Sequence, residues 1–137
     1  MSWTNSYIGI PFLNLGRDRG GCDCYGLVVL VYREKLGIQL ASYHEDYVSC
    51  EEREEIDGLF CGGVSQGPWG QVEEPSMFDI ALFRRGRGAA HCGVVVTPGL
   101  MLHVCGDDQA KLERYCVGAW KHRLIGHFRH KKMRAIA

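Results

Sequence analysis

The sequence contains no apolar stretch approaching the length that crosses a membrane, which excludes a spanning helix. Its opening residues, Met1-Ser2-Trp3-Thr4-Asn5-Ser6, lack a cationic segment followed by an apolar one, so no export signal is expected and folding is expected in the cytoplasm. Neither sign of charge is in excess. Sixteen basic and sixteen acidic residues cancel, so no overall field draws the chain to nucleic acid or an anionic membrane. The one basic patch, His127 to Arg134, reads more simply as a solvated tail than as a docking surface. Internal repeats, low-complexity linkers and Cys-x-x-Cys pairs are all missing. The seven cysteines (22, 24, 50, 61, 92, 105 and 116) are odd in number and irregularly spaced. That is unlike a secreted disulfide framework, and mostly reduced thiols are expected.

What is present suits one compact domain over residues 1–137, since a chain of this length with 46% apolar residues can bury most of its surface. Ile8 to Leu15 is an apolar segment broken by Gly9 and Pro11, expected to pack on the core ahead of a loop from Arg17 to Gly21. Leu27, Val28, Leu30, Val31 and Leu36 follow helical spacing and predict an amphipathic helix from Asp23 to Leu36, with Asp23 as N-cap and Gly37 as stop. Ser49 with Glu52 is a capping-box signature for a second, acidic helix over Glu51 to Phe60. Past Pro68 and Pro75 come short strand-like runs: Phe78 to Phe83, His91 to Val96, Leu100 to Val104 and Arg123 to Arg129. Helices followed by a meander of strands predict an α+β domain, with N-terminal helices packed on a central antiparallel sheet.

Within that frame Cys24 occupies the first helical position. Unpaired N–H groups and the positive end of the helix macrodipole favour a thiolate there. A lone cysteine is more often a small core residue than a nucleophile. Cys24, however, opens a helix behind the pair Gly20-Gly21, a poor place for a filler. His91 and His103 follow on adjacent predicted strands around Thr97-Pro98-Gly99. A three-residue loop pairs Val96 with Leu100 and Gly93 with His103. Both imidazoles then share a face as diagonal neighbours, about 7–8 Å apart at the backbone. A two-residue loop would separate them, but Gly93 directly opposite His103 leaves space there and favours the three-residue loop and the shared face.

The arrangement predicts a nucleophile, Cys24, activated by His91, with His103 orienting His91 through its other ring nitrogen. Attack on a carbonyl carbon gives a thioester, backbone N–H groups at the helix start serve as oxyanion donors, and no cofactor is needed. A zinc site built from Cys22, Cys24, His91, Cys92, His103 and Cys105 is the rival reading, but Cys-x-Cys and adjacent His-Cys spacings rarely supply a tetrahedral site. Gly16, Gly20 and Gly21 are too irregular to cradle a phosphate.

The chain resembles the NlpC-type papain-like cell-wall peptidases. The residues that carry this are Gly9-Ile10-Pro11-Phe12, Asp23-Cys24-Tyr25-Gly26-Leu27-Val28, Phe78-Asp79-Ile80-Ala81-Leu82-Phe83, His91-Cys92-Gly93-Val94-Val95 and Leu102-His103-Val104, in the family's motif order. Gly16-Arg17-Asp18 ahead of the nucleophile is similar to the short versions associated with phage tails. The resemblance implies a papain-like NlpC fold, with Cys24 as nucleophile, His91 as base and His103 as third member. The implied substrate is the peptidoglycan stem peptide, cut between D-γ-glutamyl and meso-diaminopimelyl residues. It also implies synthesis in a host cytoplasm, assembly with tail-tip proteins into a virion and action at the host wall. Alternatives that use the same fold are a non-enzymatic tail module and an amide hydrolase or acyltransferase on another substrate. Two departures stand out: Phe12 replaces a tyrosine that helps to position the nucleophile, and Tyr25 replaces a small serine beside it.

Overall fold

Asp23 starts the first α-helix by a local mechanism. Its backbone is extended, its side chain accepts the Gly26 N–H at 2.7 Å, and its carbonyl accepts the Leu27 N–H. In the computed structural model, which describes residues 3–13, 16–40, 69–85, 88–104 and 108–130, this helix, α1, runs Cys24–Val31. Cys24 is therefore the first helical residue, as the capping pattern predicts. A π-helical turn, Tyr32–Leu36, continues it, and Gly37 closes it in the left-handed conformation at φ 65°, its N–H returning to the Tyr32 carbonyl. That φ favours glycine because no Cβ crowds the carbonyl.

The expected amphipathic face is absent from α1. All eight residues from Cys24 to Val31 are buried, and exposed side chains begin only at Arg33. The reason is enclosure: α1 shares one apolar cluster with sheet residues Ile80, Leu82, Val94 and Leu102, and also with Tyr7, Ile10, Ile38 and Leu40 from the segments on either side of it. A helix covered all round reads as apolar all round.

The N-terminal segment opens with a 3₁₀ turn, Trp3–Ser6. Ile10 is buried as expected, whereas Ile8 and Leu13 are exposed. The predicted loop at residues 17–21 is the tip of a small hairpin, β1 (Arg17–Asp18) with β2 (Gly21–Cys22). The predicted helix over Glu51 to Phe60 lies outside the described residues.

The main sheet is antiparallel throughout and has six strands: β3 (Trp69–Val72), β4 (Ile80–Arg85), β5 (Gly88–Thr97), β6 (Leu100–His103), β7 (Lys111–Arg114) and β8 (Leu124–His130). Their order across the sheet is β3-β8-β4-β5-β6-β7. This is the α+β architecture read from the sequence, with β3, β7 and a short helix, α2 (Gly118–Arg123), added to the expected elements. Alternation sorts the side chains. Ile80, Leu82, Cys92, Val94 and Leu102 face the α1 layer, while Ala81, Phe83, Val95 and Met101 form a second cluster with Tyr115, flanked by Trp120 and Leu124.

Where the chain enters β4, Asp79 is buried and accepts two hydrogen bonds of 2.8 Å from Arg129 of β8, plus the Ser76 N–H at 2.7 Å. The preceding Phe78 has φ 74°, in the left-handed region that disfavours a bulky residue. The Tyr32 hydroxyl donates to the Phe78 carbonyl, and Trp3 packs on the Phe78 ring with centroids 4.8 Å apart, so neighbours on both sides hold the conformation.

Candidate active site

The turn between β5 and β6 differs from the predicted one, yet it yields the same register. Thr97 pairs with Leu100 across a two-residue turn, Pro98-Gly99, and an irregularity between Val95 and Thr97 leaves Val96 as the extra residue. The bulge replaces the third loop residue. Val95 therefore pairs with Met101 and Val94 with Leu102, and continuation sets Gly93 opposite His103. A Cβ at Gly93 would lie 2.7 Å from the Met101 sulfur and 3.2 Å from the His103 Cβ, so a side chain there would push Met101 aside and crowd His103.

His91 and His103 share a face and touch. His91 Nε2 lies 2.8 Å from His103 Nδ1, with the rings nearly perpendicular at 77°. Both are buried. Trp120 of α2 stacks on His91 at 26° and 4.9 Å between centroids and meets His103 edge-on at 5.3 Å. Phe83 flanks His91 from β4 at 6.1 Å. An imidazole pair walled by aromatic rings is screened from water, and its hydrogen bond is correspondingly stronger.

Glu113 extends the row. His103 Nε2 lies 2.7 Å from Glu113 Oε1. His103 pairs in register with Lys111, so Glu113 stands two residues along β7 on the same face, in the diagonal relation that His91 has to His103 on the other side. Burial pulls the His103 pKa below the ordinary imidazole value and outweighs the upward pull of the Glu113 carboxylate. His103 is therefore neutral at neutral pH. Sequence reasoning missed both Glu113 and Trp120. The available signal was the alternation in Lys111-Leu112-Glu113-Arg114, which is too short and too polar to read as a strand.

Cys24 stands at the capped tip of α1 and is 1% exposed. It belongs to the α1 layer with Cys92 and Val94, whereas the histidines lie on the opposite face with Phe83 and Trp120. β6 ends at His103, so its pairing with β5 stops short of His91. Cys22 and Cys92 are also buried, and Cys116 is exposed. Of the two departures from the family pattern, Phe12 is half-buried and bridges to Cys22, and Tyr25 is buried within the core cluster.

Among the described residues no group of three or more His, Cys, Asp or Glu side chains is arranged to hold a metal ion. His103, a fully buried candidate ligand, already uses both ring nitrogens. No described helix is long and apolar enough to cross a membrane.

The NlpC/P60 family model matches residues 9–129. Solved structures share the fold. A Staphylococcus aureus subsp. aureus Mu50 protein described as similar to lipoprotein, NLP/P60 family, superposes with TM-score 0.64 at 21% identity, covering 90% of this chain and 37% of its own. A Bacillus cereus ATCC 10987 NlpC/P60 family protein gives TM-score 0.66 at 16% identity, covering 90% and 36%. The NlpC/p60 domain of the peptidoglycan hydrolase SagA gives TM-score 0.55 at 21% identity, covering 81% and 82%. The chain thus spans just over a third of the length of the Staphylococcus and Bacillus proteins. No curated protein is similar enough to match it.

Proposed function

The chain belongs to the NlpC/P60 family, and from that premise we propose that it is a cysteine peptidase that cuts peptidoglycan stem peptides through a thioester on Cys24. The observation that carries this reading is the hydrogen-bonded His91–His103 pair, enclosed by Trp120 and Phe83 on the strands that follow a capped N-terminal cysteine. The SagA domain, which has a similar fold, comes from a peptidoglycan hydrolase and supports the substrate class.

In the proposed reaction His91 takes the Cys24 proton, and the thiolate attacks the carbonyl carbon of the stem peptide. Cys24's own N–H is the natural donor to the oxyanion, whereas the Gly26 N–H is committed to Asp23. The C–N bond breaks as the His91 imidazolium protonates the leaving amine. Water, deprotonated by His91, then attacks the thioester, and the C–S bond breaks to release the acid and the thiol. Thiol and imidazole are both buried, and the reaction is assigned to Cys24 and His91. We assign the scissile bond to the D-γ-glutamyl-diaminopimelyl type. The setting we propose is a phage tail tip or tail-like particle, made in the host cytoplasm and carried to the wall by tail partners. Gly16-Arg17-Asp18 and the motif order support that setting.

A second reading, a non-enzymatic tail module, is favoured by one observation: Cys24 and His91 are 1% and 4% exposed, leaving little surface for a substrate. Digestion of purified peptidoglycan by wild type and Cys24→Ala, with fragments identified by mass spectrometry, decides between the two. New muropeptides from wild type alone establish the peptidase and name the bond. No fragments from either folded protein favour the module.

A further inference from the structure

We infer that Glu113 is a positioning residue that sets the direction of every proton in the His91–His103 row and thereby makes His91 Nδ1 the basic nitrogen. The role assigned to His91 rests on the proposed thiol chemistry, whereas the proton arrangement follows from the two ring contacts together with a neutral His103.

An ionised carboxylate only accepts hydrogen bonds. The 2.7 Å contact with Glu113 Oε1 therefore requires a proton on His103 Nε2. A neutral imidazole carries one proton, so His103 Nδ1 is left with a lone pair. The 2.8 Å contact between His103 Nδ1 and His91 Nε2 then requires the proton on His91 Nε2. A neutral His91 is consequently bare at Nδ1, the nitrogen that receives the thiol proton. The S–H bond breaks, an Nδ1–H bond forms, and His91 becomes an imidazolium whose Nε2–H still donates to His103. No other proton has to move.

The neutral state of His103, which this argument needs, follows from its burial. Lys111, one of the two cations on the same strand as Glu113, is bonded to Asp108 at 2.8 Å. Glu113 itself is 38% exposed at its side chain, so it can be changed without opening the core. Remove its charge, and nothing prevents His103 from donating through Nδ1. That reversal puts the His91 proton on Nδ1 and abolishes the base, as an Asp→Asn change does in a serine-protease triad.

The test is ¹⁵N NMR of the histidine rings at pH 7.5 in the full chain, together with steady-state hydrolysis by wild type, Glu113→Gln and Glu113→Ala. Wild type is expected to show both His91 and His103 protonated on Nε2. Both variants are expected to show a share of His91 protonated on Nδ1, with kcat down roughly ten- to a hundredfold and KM within about twofold. Wild-type His91 protonated on Nδ1, unchanged ring tautomers in both variants, or changed tautomers with wild-type kcat would each overturn the inference. If wild type hydrolyses nothing, the peptidase reading fails by itself, and the ring nitrogens still decide whether Glu113 orders the row.

Discussion

The two faces of the six-stranded sheet bury side chains by opposite means. Under α1 the contact is almost wholly apolar: Leu27, Val28 and Leu30 pack against Ile80, Leu82, Val94 and Leu102, and the polar Asp23 caps the helix start. On the other face an apolar cluster of Phe83, Val95, Met101 and Tyr115 adjoins a polar row, in which His91 and His103 are buried beside Trp120 and Glu113 is partly exposed. The apolar face tolerates changes of shape within its volume, because dispersion and burial have no direction. The polar face does not, because each nitrogen has one permitted partner and an unpaired buried polar group costs more than a hydrogen bond contributes. One face thus supplies stability, and the other converts it into a fixed orientation of two rings.

The largest expected effect separates the faces at once. Cys24→Ala should lower hydrolysis by at least about a thousandfold with the circular dichroism unchanged, and Cys22→Ala should leave the rate within a few fold. Equal losses in two stable variants would move the nucleophile assignment away from Cys24. Next come the histidines: His91→Ala should match the loss at Cys24, and His103→Ala should slow the reaction less, roughly ten- to a hundredfold. Equal and complete losses in single-turnover assays would make His103 more than an orienting group.

The α1 face should answer in stability instead. Leu30 is fully buried in the α1 cluster, so Leu30→Ala should cost about 3–4 kcal/mol in urea unfolding while the turnover per folded molecule stays unchanged. Arg129→Ala strands the buried Asp79 carboxylate and should cost about 2–3 kcal/mol. Pairing it with Asp79→Asn should cost less than the two single losses added together, and simple additivity in the urea midpoints would show that the ion pair is not coupled.

The smallest effect is the pH slope. Burial holds His103 and His127 below the usual imidazole value, so the unfolded chain binds more protons than the folded one as pH falls through about 6.5. The associated stability is complete above that value and is lost as the pH drops below it. Urea midpoints at pH 7.5 and 5.5 should therefore decline toward acid, and His127→Gln should flatten the decline. His127 takes part in a 2.8 Å contact with the Tyr115 hydroxyl that an amide can also make. A slope untouched by that change would place the whole effect elsewhere.

The site was partly legible beforehand because several of its constraints are local. A cap lies three residues from the N–H it accepts, and strand alternation has period two, so Asp23-Cys24 and the shared face of His91 and His103 could be read from neighbouring residues. The predicted loop length was three and the observed turn is two, yet the Val96 bulge restored the parity that matters. Glu113 was invisible for the opposite reason. Its role depends on β7 lying beside β6 in a register that pairs His103 with Lys111, which no local pattern in Lys111-Leu112-Glu113-Arg114 announces. Trp120 was missed likewise, since α2 is a short helix with no buried residue of its own and matters only because it folds back over His91.

By itself the sequence determined that Asp23 caps a helix opening at Cys24, that Gly37 ends the helical segment, and which segments form the strands β4, β5 and β6. All of these follow from hydrogen-bonding and steric rules that act over a few residues. Only the tertiary structure decided that α1 is enclosed on every side, that β3 and β7 complete the sheet, and that a carboxylate and an indole close around the imidazole pair. Those outcomes depend on which distant segments come to lie together, and long-range packing energy sets that, whatever the local propensity of the segments involved.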